Sequence, residues 1–315
     1  MEIFIETDGS KLRVKNGIFL LESFQNKMEI SPVNVRAFVI KAKIAITSSA
    51  IELAIKNDVE LVFINNYDKP YCRMISTEFS KSGNLRKMQY KIFSSIYSFK
   101  IAKRVLLKKS LNQKEHLLTL NFINYREKNI IDNLLLQLSE NNSKKIQELM
   151  IIEAQITKFY YNVLSKNLEG NFTFENRSFA PAKDEFNSTL NYLYGILYRK
   201  VEKVLLIAGF DINTGFLHSD MKKSKSLVFD FIELFRHYAM ICNYSLYRQK
   251  LIKKKYFDYG KEYLEINREG RNFLLAKFLD YLEDKELYNN KMIIREAIMQ
   301  NEAYKLAEMI LKISL

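Results

Sequence analysis

The residues that could do chemistry lie in the segment 209–238, which reads GFDINTGFLHSDMKKSKSLVFDFIELFRHY. Its second half has the apolar spacing of a helix, over so wide an arc that the helix should be buried. Asp230, Glu233 and His237 share one face of that helix, at i, i+3 and i+7. Because burying carboxylates without partners is costly, a positive group should lie opposite them. The candidates are His218, in the loop before the helix, and a divalent cation.

A third acidic residue, Glu153, lies in a helix predicted over Lys144–Lys166. Mostly apolar residues share its helical face at steps of four and three, namely Ile146, Met150, Thr157, Tyr160 and Leu164. A carboxylate among such neighbours is explained by a buried lysine or arginine partner as well as by a metal ion. The spacing alone leaves these two alternatives open.

The charge balance of the chain favours a polyanionic partner. Its 315 residues include 49 Lys and Arg against 36 Asp and Glu, a net charge of +13. Such a surplus is typical of nucleic-acid-binding proteins, although a composition rich in Lys, Asn and Ile could also produce it. A hydrophobic content of 48% and an aromatic content of 13% indicate a folded protein, long enough for two domains.

The two cysteines and the N-terminus predict a soluble, cytoplasmic protein. Cys72 and Cys242 have neither metal-ligand spacing nor the arrangement of a disulfide framework. The first residues, MEIFIETDGS, carry acids where a signal peptide has a basic region. No apolar stretch approaches the roughly 18 residues of a membrane helix. We therefore expect no membrane partner.

The distribution of apolar runs predicts an α+β protein of two domains. Residues 1–76 read as a mainly β, sandwich-like domain with one helix over Ser48–Lys56 and a hairpin turn at Asn16-Gly17. Residues 77–83, TEFSKSG, are polar and small, as in a linker. Residues 84–315 read as an all-α domain.

Within the second domain the spacing predicts long, continuous helices. They cover Asn84–Leu111, 114–125, 128–139, Lys144–Lys166, Lys183–Ala208 with Asp184 as a candidate cap, and a helix from Leu227 to Tyr247. The first of them has a basic face of Lys87, Lys91, Lys100, Lys103, Arg104, Lys108 and Lys109. A face of this kind is either solvated or placed near phosphates.

Several segments resemble one known family. The pattern G-F-D-x-x-x-G-F-L-H, a basic turn and S-L-x-x-D-x-x-E-x-F-R is similar to the CRISPR-associated integrase and endonuclease of spacer acquisition, the first-numbered Cas protein. EAQITKFYY, PAKDEFNSTLNYLYGILY and AITSSAIELAIKNDVELVFINNYDKPYCRM match further motifs of that family. The chain departs at Ile44-Ala45, where the family usually has a glycine, so the local strand geometry there should differ. The resemblance extends from the first predicted strand to the last helix.

The resemblance implies a set of site residues. Glu153, His218 and Glu233 would bind Mg²⁺ or Mn²⁺, with water completing the coordination shell. Asp230 would contribute to catalysis by orienting His218 or a metal-bound water. His237 has no counterpart in the family pattern and is better interpreted as a hydrogen-bonded core residue. Candidates for DNA binding are Lys222, Lys223, Lys225 and Asn187, and Tyr194 could face the site.

The implied activity is insertion of new spacer DNA into a CRISPR array, by attack of a DNA 3′-hydroxyl on a repeat phosphodiester. With water as nucleophile, the same site would cleave DNA. The implied partners are double-stranded and branched DNA, a second copy of the chain bound through the N-terminal domain, and the small second adaptation protein. No zinc motif, P-loop or GxGxxG occurs, so we predict neither zinc hydrolysis nor a nucleotide cofactor. Two alternatives stay open: a basic, non-catalytic nucleic-acid-binding scaffold, and a homologous integrase encoded by a mobile element.

Overall fold

The structure, a computed structural model, describes residues 2–24, 26–57, 59–65, 70–74, 83–93, 95–168, 172–179, 181–217, 225–260 and 264–313. The chain forms two compact units, Met1–Lys81 and Ser82–Leu315. Most of the predicted linker, residues 77–83, lies outside the described residues. The α+β class predicted from the sequence is confirmed.

Within its described residues, the first unit contains two four-stranded sheets and one α-helix. The elements are β1 (Glu2–Ile5), β2 (Lys11–Lys15), β3 (Ile18–Glu22), β4 (Lys27–Ile30), β5 (Ala37–Ile40), β6 (Ala45–Ile46), α1 (Ser48–Lys56), β7 (Glu60–Ile64) and β8 (Pro70–Met74). One sheet has the order β1-β5-β7-β8, in which β8 alone is antiparallel to its neighbour. The other has the order β4-β3-β2-β6, in which β6 runs parallel to β2.

Local signals in the first unit produce the expected geometry. Asn16 (φ 51°) and Gly17 (φ 77°) are both left-handed, as a two-residue hairpin turn between β2 and β3 requires. Thr47 caps α1 by accepting a hydrogen bond from the Ala50 amide. At the departure from the family pattern, Ala45 belongs to the two-residue strand β6, which pairs with β2.

The second unit is mainly helical. Its helices are α2 (Gly83–Phe93), α3 (Ile96–Thr119), α4 (Tyr125–Glu140), α5 (Ile146–Lys166), α6 (Glu185–Ile207), α7 (Ser226–Ile232), α8 (Arg236–Arg248), α9 (Arg268–Glu283) and α10 (Arg295–Leu311). None of the helices in the described part of the chain is long and apolar enough to cross a membrane.

The prediction that this unit is all-α is wrong, because two hairpins lie within it. They are β9 (Phe257–Tyr259) with β10 (Leu264–Ile266), and β11 (Lys285–Tyr288) with β12 (Lys291–Ile294). Asn289 (φ 49°) and Asn290 (φ 62°) form the turn of the second hairpin. Asparagine tolerates the left-handed region that such a turn requires, so the Asn-Asn pair was the available signal.

Two predicted helices are interrupted. The helix predicted over Asn84–Leu111 ends at Phe93 and restarts at Ile96, where the Ser95 hydroxyl accepts a hydrogen bond from the Tyr97 amide. The helix predicted from Leu227 to Tyr247 is divided into α7 and α8 by a turn at 233–235. The second break changes the geometry of the candidate site.

Helix α6 forms the centre of the second unit. Most of its side chains are buried, and its apolar residues pack in one cluster with those of α8, α9 and α10. Its N-terminus is capped as predicted, since Asp184 accepts a hydrogen bond from the Asn187 amide. After its C-terminus, Gly209 adopts a left-handed φ of 90° and ends the helix.

Candidate active site

Helices α3 and α5 and the turn between α7 and α8 bring two of the predicted acids together. The ammonium nitrogen of Lys109 lies 2.6 Å from Glu153 Oε1 and 2.6 Å from Glu233 Oε2. The two carboxylate oxygens are therefore separated by no more than twice that distance. The side chains are 13%, 14% and 6% exposed, for Lys109, Glu153 and Glu233 respectively, so this contact is largely shielded from solvent.

A second cation, Arg236, completes the cluster. Its Nε lies 2.7 Å from Glu233 Oε1, and its Nη2 donates to the Tyr198 hydroxyl at 2.9 Å. The guanidinium also lies 4.9 Å from the centroid of the Tyr194 ring, a cation–π contact. Each oxygen of Glu233 thus faces a different cation. Hereafter Lys109, Glu153, Glu233 and Arg236 are called the charged cluster.

The charges of the cluster stabilise one another. Burial alone would raise the pKa of Glu233, but the charges of Lys109 and Arg236 outweigh it and lower that pKa to about 2. Burial would likewise lower the pKa of Lys109, whereas Glu233 and Glu153 raise it above its usual value. The pKa of Arg236 is also raised against the effect of burial, chiefly by Glu233. Lys109, Glu233 and Arg236 are consequently all charged at neutral pH.

Glu153 is oriented by its own helix and by α3. Thr157, one turn further along α5, donates its hydroxyl proton to Glu153 Oε1 at 2.6 Å. Gln113 of α3 donates in turn to the Thr157 hydroxyl at 3.0 Å. This chain of hydrogen bonds fixes the rotamer of Glu153, as supporting residues do around many metal ligands.

The residues of the cluster fit a divalent cation. Glu153 and Glu233 offer the carboxylate oxygens that Mg²⁺ and Mn²⁺ prefer. Glu233 Oε2 is buried and, apart from its ionic contact with Lys109, has no hydrogen bond of normal geometry among the described residues. The ammonium group of Lys109 lies between both carboxylates, where a positive charge is favoured. His218, the third predicted ligand, lies outside the described residues, and within those residues no group of three His, Cys, Asp or Glu side chains could hold a metal.

Comparison with known proteins identifies the family. The family model described as CRISPR associated protein Cas1 matches residues 3–280. The chain belongs to the Cas1 family. A CRISPR-associated endonuclease Cas1 from Saccharolobus solfataricus is 27% identical over 236 residues, 75% of this chain and 72% of the relative.

Solved structures share the Cas1 fold over nearly the whole chain. A Cas1 protein from Thermotoga maritima matches with a TM-score of 0.83 and 19% identity, covering 100% of this chain and 98% of that one. A casposase bound to integration product matches with a TM-score of 0.80 and 22% identity, covering 98% and 90%. At these identities the structural matches establish the fold alone.

Asp230, which lies one turn before Glu233 in the sequence, is bound to the loop that precedes His218. It is buried, and its Oδ2 accepts hydrogen bonds from the amides of Phe216 and Leu217, the latter at 2.9 Å. It therefore fixes the backbone immediately before His218. The predicted contact of Asp230 with His218 or a metal-bound water stays a prediction, since His218 is outside the described residues.

The loop that Asp230 holds, residues 209–217, is also bound by α2. Gln89 donates to the carbonyl oxygens of Asp211 and Thr214, both at 2.8 Å, and accepts from the Asp211 amide at 3.0 Å. Tyr90 donates to Asp211 Oδ2 at 2.6 Å. Because Gln89 is fully buried, these bonds fix the course of the loop.

Asn187, predicted to bind DNA, is fully buried and is used within the chain. Its Oδ1 accepts from Arg177 at 2.9 Å and from the Ser178 amide at 3.1 Å. Its Nδ2 donates to the Asn176 carbonyl at 2.8 Å and to Asp184 Oδ2 at 2.7 Å. With its polar atoms engaged, Asn187 positions Arg177, and direct contact of Asn187 with DNA stays a prediction.

Of the lysines predicted to bind DNA, Lys222 and Lys223 lie outside the described residues. Lys225 is 2.7 Å from Glu202 Oε1 and pairs with that carboxylate. This pairing was not expected, because Glu202 lies on α6, 23 positions away along the chain.

Arg177 was missed by the sequence analysis, although it borders a cavity of ≈ 160 Å³ beside the charged cluster. Its guanidinium lies 4.3 Å from the Phe179 ring centroid and 5.5 Å from that of Tyr194. It also donates to the side chain of Asn191. No carboxylate contacts Arg177 in the described part of the chain, so its charge is available to a phosphate.

Lys109 was likewise missed, because the sequence placed it on a solvated basic face. The structure buries it on a stripe of α3 that steps by four and three through Ala102, Leu106, Lys109, Gln113 and His116. The other four members of that stripe are buried. A lysine in step with such residues was the available signal that it faces inward.

The contacts of His237 agree with the interpretation of a core residue. Its Nδ1 lies 3.0 Å from Asn112 Nδ2, which donates to it when the ring proton is on Nε2. Burial, with a smaller effect of Lys108, lowers its pKa to about 3. His237 also lines the cavity beside the charged cluster, so a purely packing role stays a prediction.

The buried His116 predicts a loss of stability in mild acid. Burial lowers the pKa of His116 to about 4, and its Nδ1 is 2.6 Å from the Tyr160 hydroxyl. The unfolded chain therefore binds a proton below about pH 6.5 that the folded chain accepts only near pH 4. From this group alone, the free energy of unfolding should be about 2 kcal/mol lower at pH 5 than at pH 7. Urea denaturation at both values checks this, and His116→Gln should remove that part of the difference. An equal difference in wild type and variant would contradict the assignment.

Proposed function

We propose that the protein is a divalent-metal-dependent DNA strand transferase and endonuclease of CRISPR adaptation. The observation that carries this proposal is the convergence of Glu153 and Glu233 on a single cationic position, beside a cavity that Arg177 and Arg236 border. Carboxylates that can hold a divalent cation, beside cationic side chains that can face a phosphate, are what phosphodiester chemistry requires. Family membership supports the same activity, because the Saccharolobus relative is called an endonuclease.

The reaction exchanges one phosphodiester for another. The oxygen of a DNA 3′-hydroxyl forms a bond to phosphorus, the bond from phosphorus to the 3′-oxygen of the repeat breaks, and the proton ends on the released hydroxyl. The number of phosphodiesters is unchanged, so no nucleotide cofactor is required. When water replaces the 3′-hydroxyl, the product is a cleaved strand.

Different residues of the chain would perform different parts of this reaction. A bound Mg²⁺ or Mn²⁺ would be held by Glu153, Glu233 and His218, and would polarise the scissile phosphate. Thr157 keeps Glu153 in the required orientation. Arg177 and Arg236 border the cavity and bind the non-bridging phosphate oxygens, where negative charge develops during the displacement. Lys222, Lys223 and, on α3, Lys100, Lys103 and Arg104 are proposed to contact the flanking DNA.

A strand-transfer assay tests the proposal against a non-catalytic scaffold. Purified protein is mixed with branched DNA carrying a free 3′-hydroxyl, in Mn²⁺, Mg²⁺ or EDTA. We expect joined and nicked products with either metal and none with EDTA. DNA bound equally in all three conditions, without products, would support the scaffold and contradict the proposal. Joining without preference for a CRISPR repeat sequence would favour the alternative of a mobile-element integrase. This alternative is considered because the chain shares its fold with a casposase.

The first unit is proposed to form a homodimer that joins the small second adaptation protein. Phe24 and Val33 are 92% and 90% exposed there, and Tyr71 on β8 at the edge of its sheet is 70% exposed. Large exposed apolar residues and an unpaired sheet edge are suited to an isologous interface. Light scattering should give twice the chain mass of 37.3 kDa. A single-chain mass at working concentration would contradict the dimer.

A further inference from the structure

The charged cluster is electrically balanced without any bound ion. Glu153 and Glu233 contribute two negative charges, and Lys109 and Arg236 contribute two positive charges. All four side chains are largely shielded, with Arg236 the most exposed at 22%. In such surroundings an uncompensated charge is strongly unfavourable, so the net charge of the cluster affects the binding of any further ion.

A divalent cation alone would upset this balance. Lys109 Nζ contacts Glu153 Oε1 and Glu233 Oε2, which belong to the two carboxylates that would hold the cation. With Lys109 and Arg236 retained, the loaded site would carry two net positive charges. With Lys109 displaced, its ammonium group would lose both carboxylate partners. Either outcome opposes loading by the cation.

We propose that Lys109 is a built-in counter-ion that keeps affinity for the divalent cation low until DNA is bound. The proposal rests on the proposed function and adds a regulation of that site. Phosphodiesters entering the cavity bring one negative charge each, and two of them restore the balance. Lysine suits this role because its four-carbon stem lets the ammonium group turn from carboxylate to phosphate. Lys109 itself lines the same cavity as Arg177, whose charge is available to a phosphate.

Two consequences follow from this electrostatic coupling. DNA should raise the affinity for the cation, and the cation should raise the affinity for DNA by the same factor, since linkage is reciprocal. Binding of the divalent cation would then coincide with the presence of the DNA substrate. An activated hydrolytic site would not persist in the free protein, which protects other DNA from cleavage.

Calorimetric titration with Mn²⁺ tests the role of Lys109. Lys109→Met keeps the stem and removes the competing charge, while Lys109→Arg keeps the charge. Lys108→Met is the matched control, since the neighbouring Lys108 is exposed and loses the same charge without touching the cluster. Without DNA, we expect Lys109→Met to bind Mn²⁺ on the order of tenfold more tightly than wild type. Lys109→Arg and Lys108→Met should resemble wild type.

The same titration with DNA measures the coupling. A branched duplex ending in a 3′-dideoxynucleotide binds but cannot react, so affinity is separated from turnover. It should raise the Mn²⁺ affinity of wild type about tenfold and that of Lys109→Met by much less. Because misfolding would lower Mn²⁺ affinity, a gain in Lys109→Met cannot come from damage to the fold. Thermal unfolding gives a second readout, since Mn²⁺ should raise the melting temperature of Lys109→Met more than that of wild type.

The outcomes separate this inference from the proposed function. If Mn²⁺ binds and strand transfer proceeds, but Lys109→Met gains no Mn²⁺ affinity, the counter-ion role is wrong and the proposed function stands. Equal enhancement by DNA in wild type and Lys109→Met would overturn it as well. If no form of the protein binds Mn²⁺ even with DNA, both proposals fail.

Discussion

Glu233→Gln should abolish strand transfer while DNA binding persists. The substitution removes one of the two carboxylates that converge on the cationic position, and leaves Lys109 and Arg236 facing a neutral amide. Losing several kcal/mol of electrostatic stabilisation corresponds to a fall in rate on the order of 1000-fold. Glu153→Gln should have a similar effect. DNA affinity should change little, because it depends mostly on basic residues.

A single-turnover assay on branched DNA measures this effect, with binding followed separately by gel shift. Glu148→Gln is the matched control for α5, because its carboxylate is half-exposed and, within the described residues, forms an ion pair with Lys145 rather than with the charged cluster. It should retain the wild-type rate. Full activity in both Glu153→Gln and Glu233→Gln would show that the reaction centre lies elsewhere.

Gly215→Ala should both destabilise the protein and impair strand transfer. A Cβ at this position would lie 2.6 Å from Asp230 Oδ2 and 2.9 Å from the backbone and Cβ carbons of Ser226. The loop must shift, and the bonds from Asp230 to the amides of Phe216 and Leu217 break. We expect a loss of about 2–4 kcal/mol in the free energy of unfolding and about a 100-fold lower rate, since the backbone before His218 moves.

Gly195→Ala is the control for this substitution. Gly195 lies within α6, and a Cβ there would meet nothing within 4 Å. Alanine should leave activity unchanged and stabilise the helix by up to about 1 kcal/mol. Urea denaturation and the strand-transfer assay compare the two variants. Equal stability and activity of Gly215→Ala and wild type would refute the close packing of the loop against Asp230.

Sequence reasoning succeeded where the determinant is local. The Asp184 cap and the Gly209 stop gave the bounds of α6, and Asn16-Gly17 gave the first hairpin. It failed at residues 233–235, because the apolar spacing of α7 continues into α8 and neither proline nor glycine marks the break. A turn of this kind is determined by tertiary packing, which the periodicity of apolar residues does not predict.

The candidate site was predictable only in part for a similar reason. Glu153 and Glu233 stand out as acids among apolar neighbours, so each could be found alone. Their counter-ions could not, since Lys109 is 44 positions from Glu153 and 124 from Glu233. The packing of the helices determines which cation lies beside a buried carboxylate. From the sequence, either a lysine or a metal ion could be the partner of Glu153. In the structure its partner is Lys109, whose ammonium group occupies a position that also suits a metal ion.

The burial of α6 affects how slowly this helix opens to solvent. Amide protons in a helix enclosed on most sides exchange with solvent only when the whole unit unfolds, so those of α6 should exchange most slowly. Asn187 and Asn191 of this helix hold Arg177, and Tyr194 forms the adjoining wall of the cavity. The wall of the cavity that we propose to bind phosphate is thus built on the part of the unit that is expected to open last. DNA entering the cavity, as proposed, would meet a preformed arginine there, and any adjustment on binding would come from the opposite side.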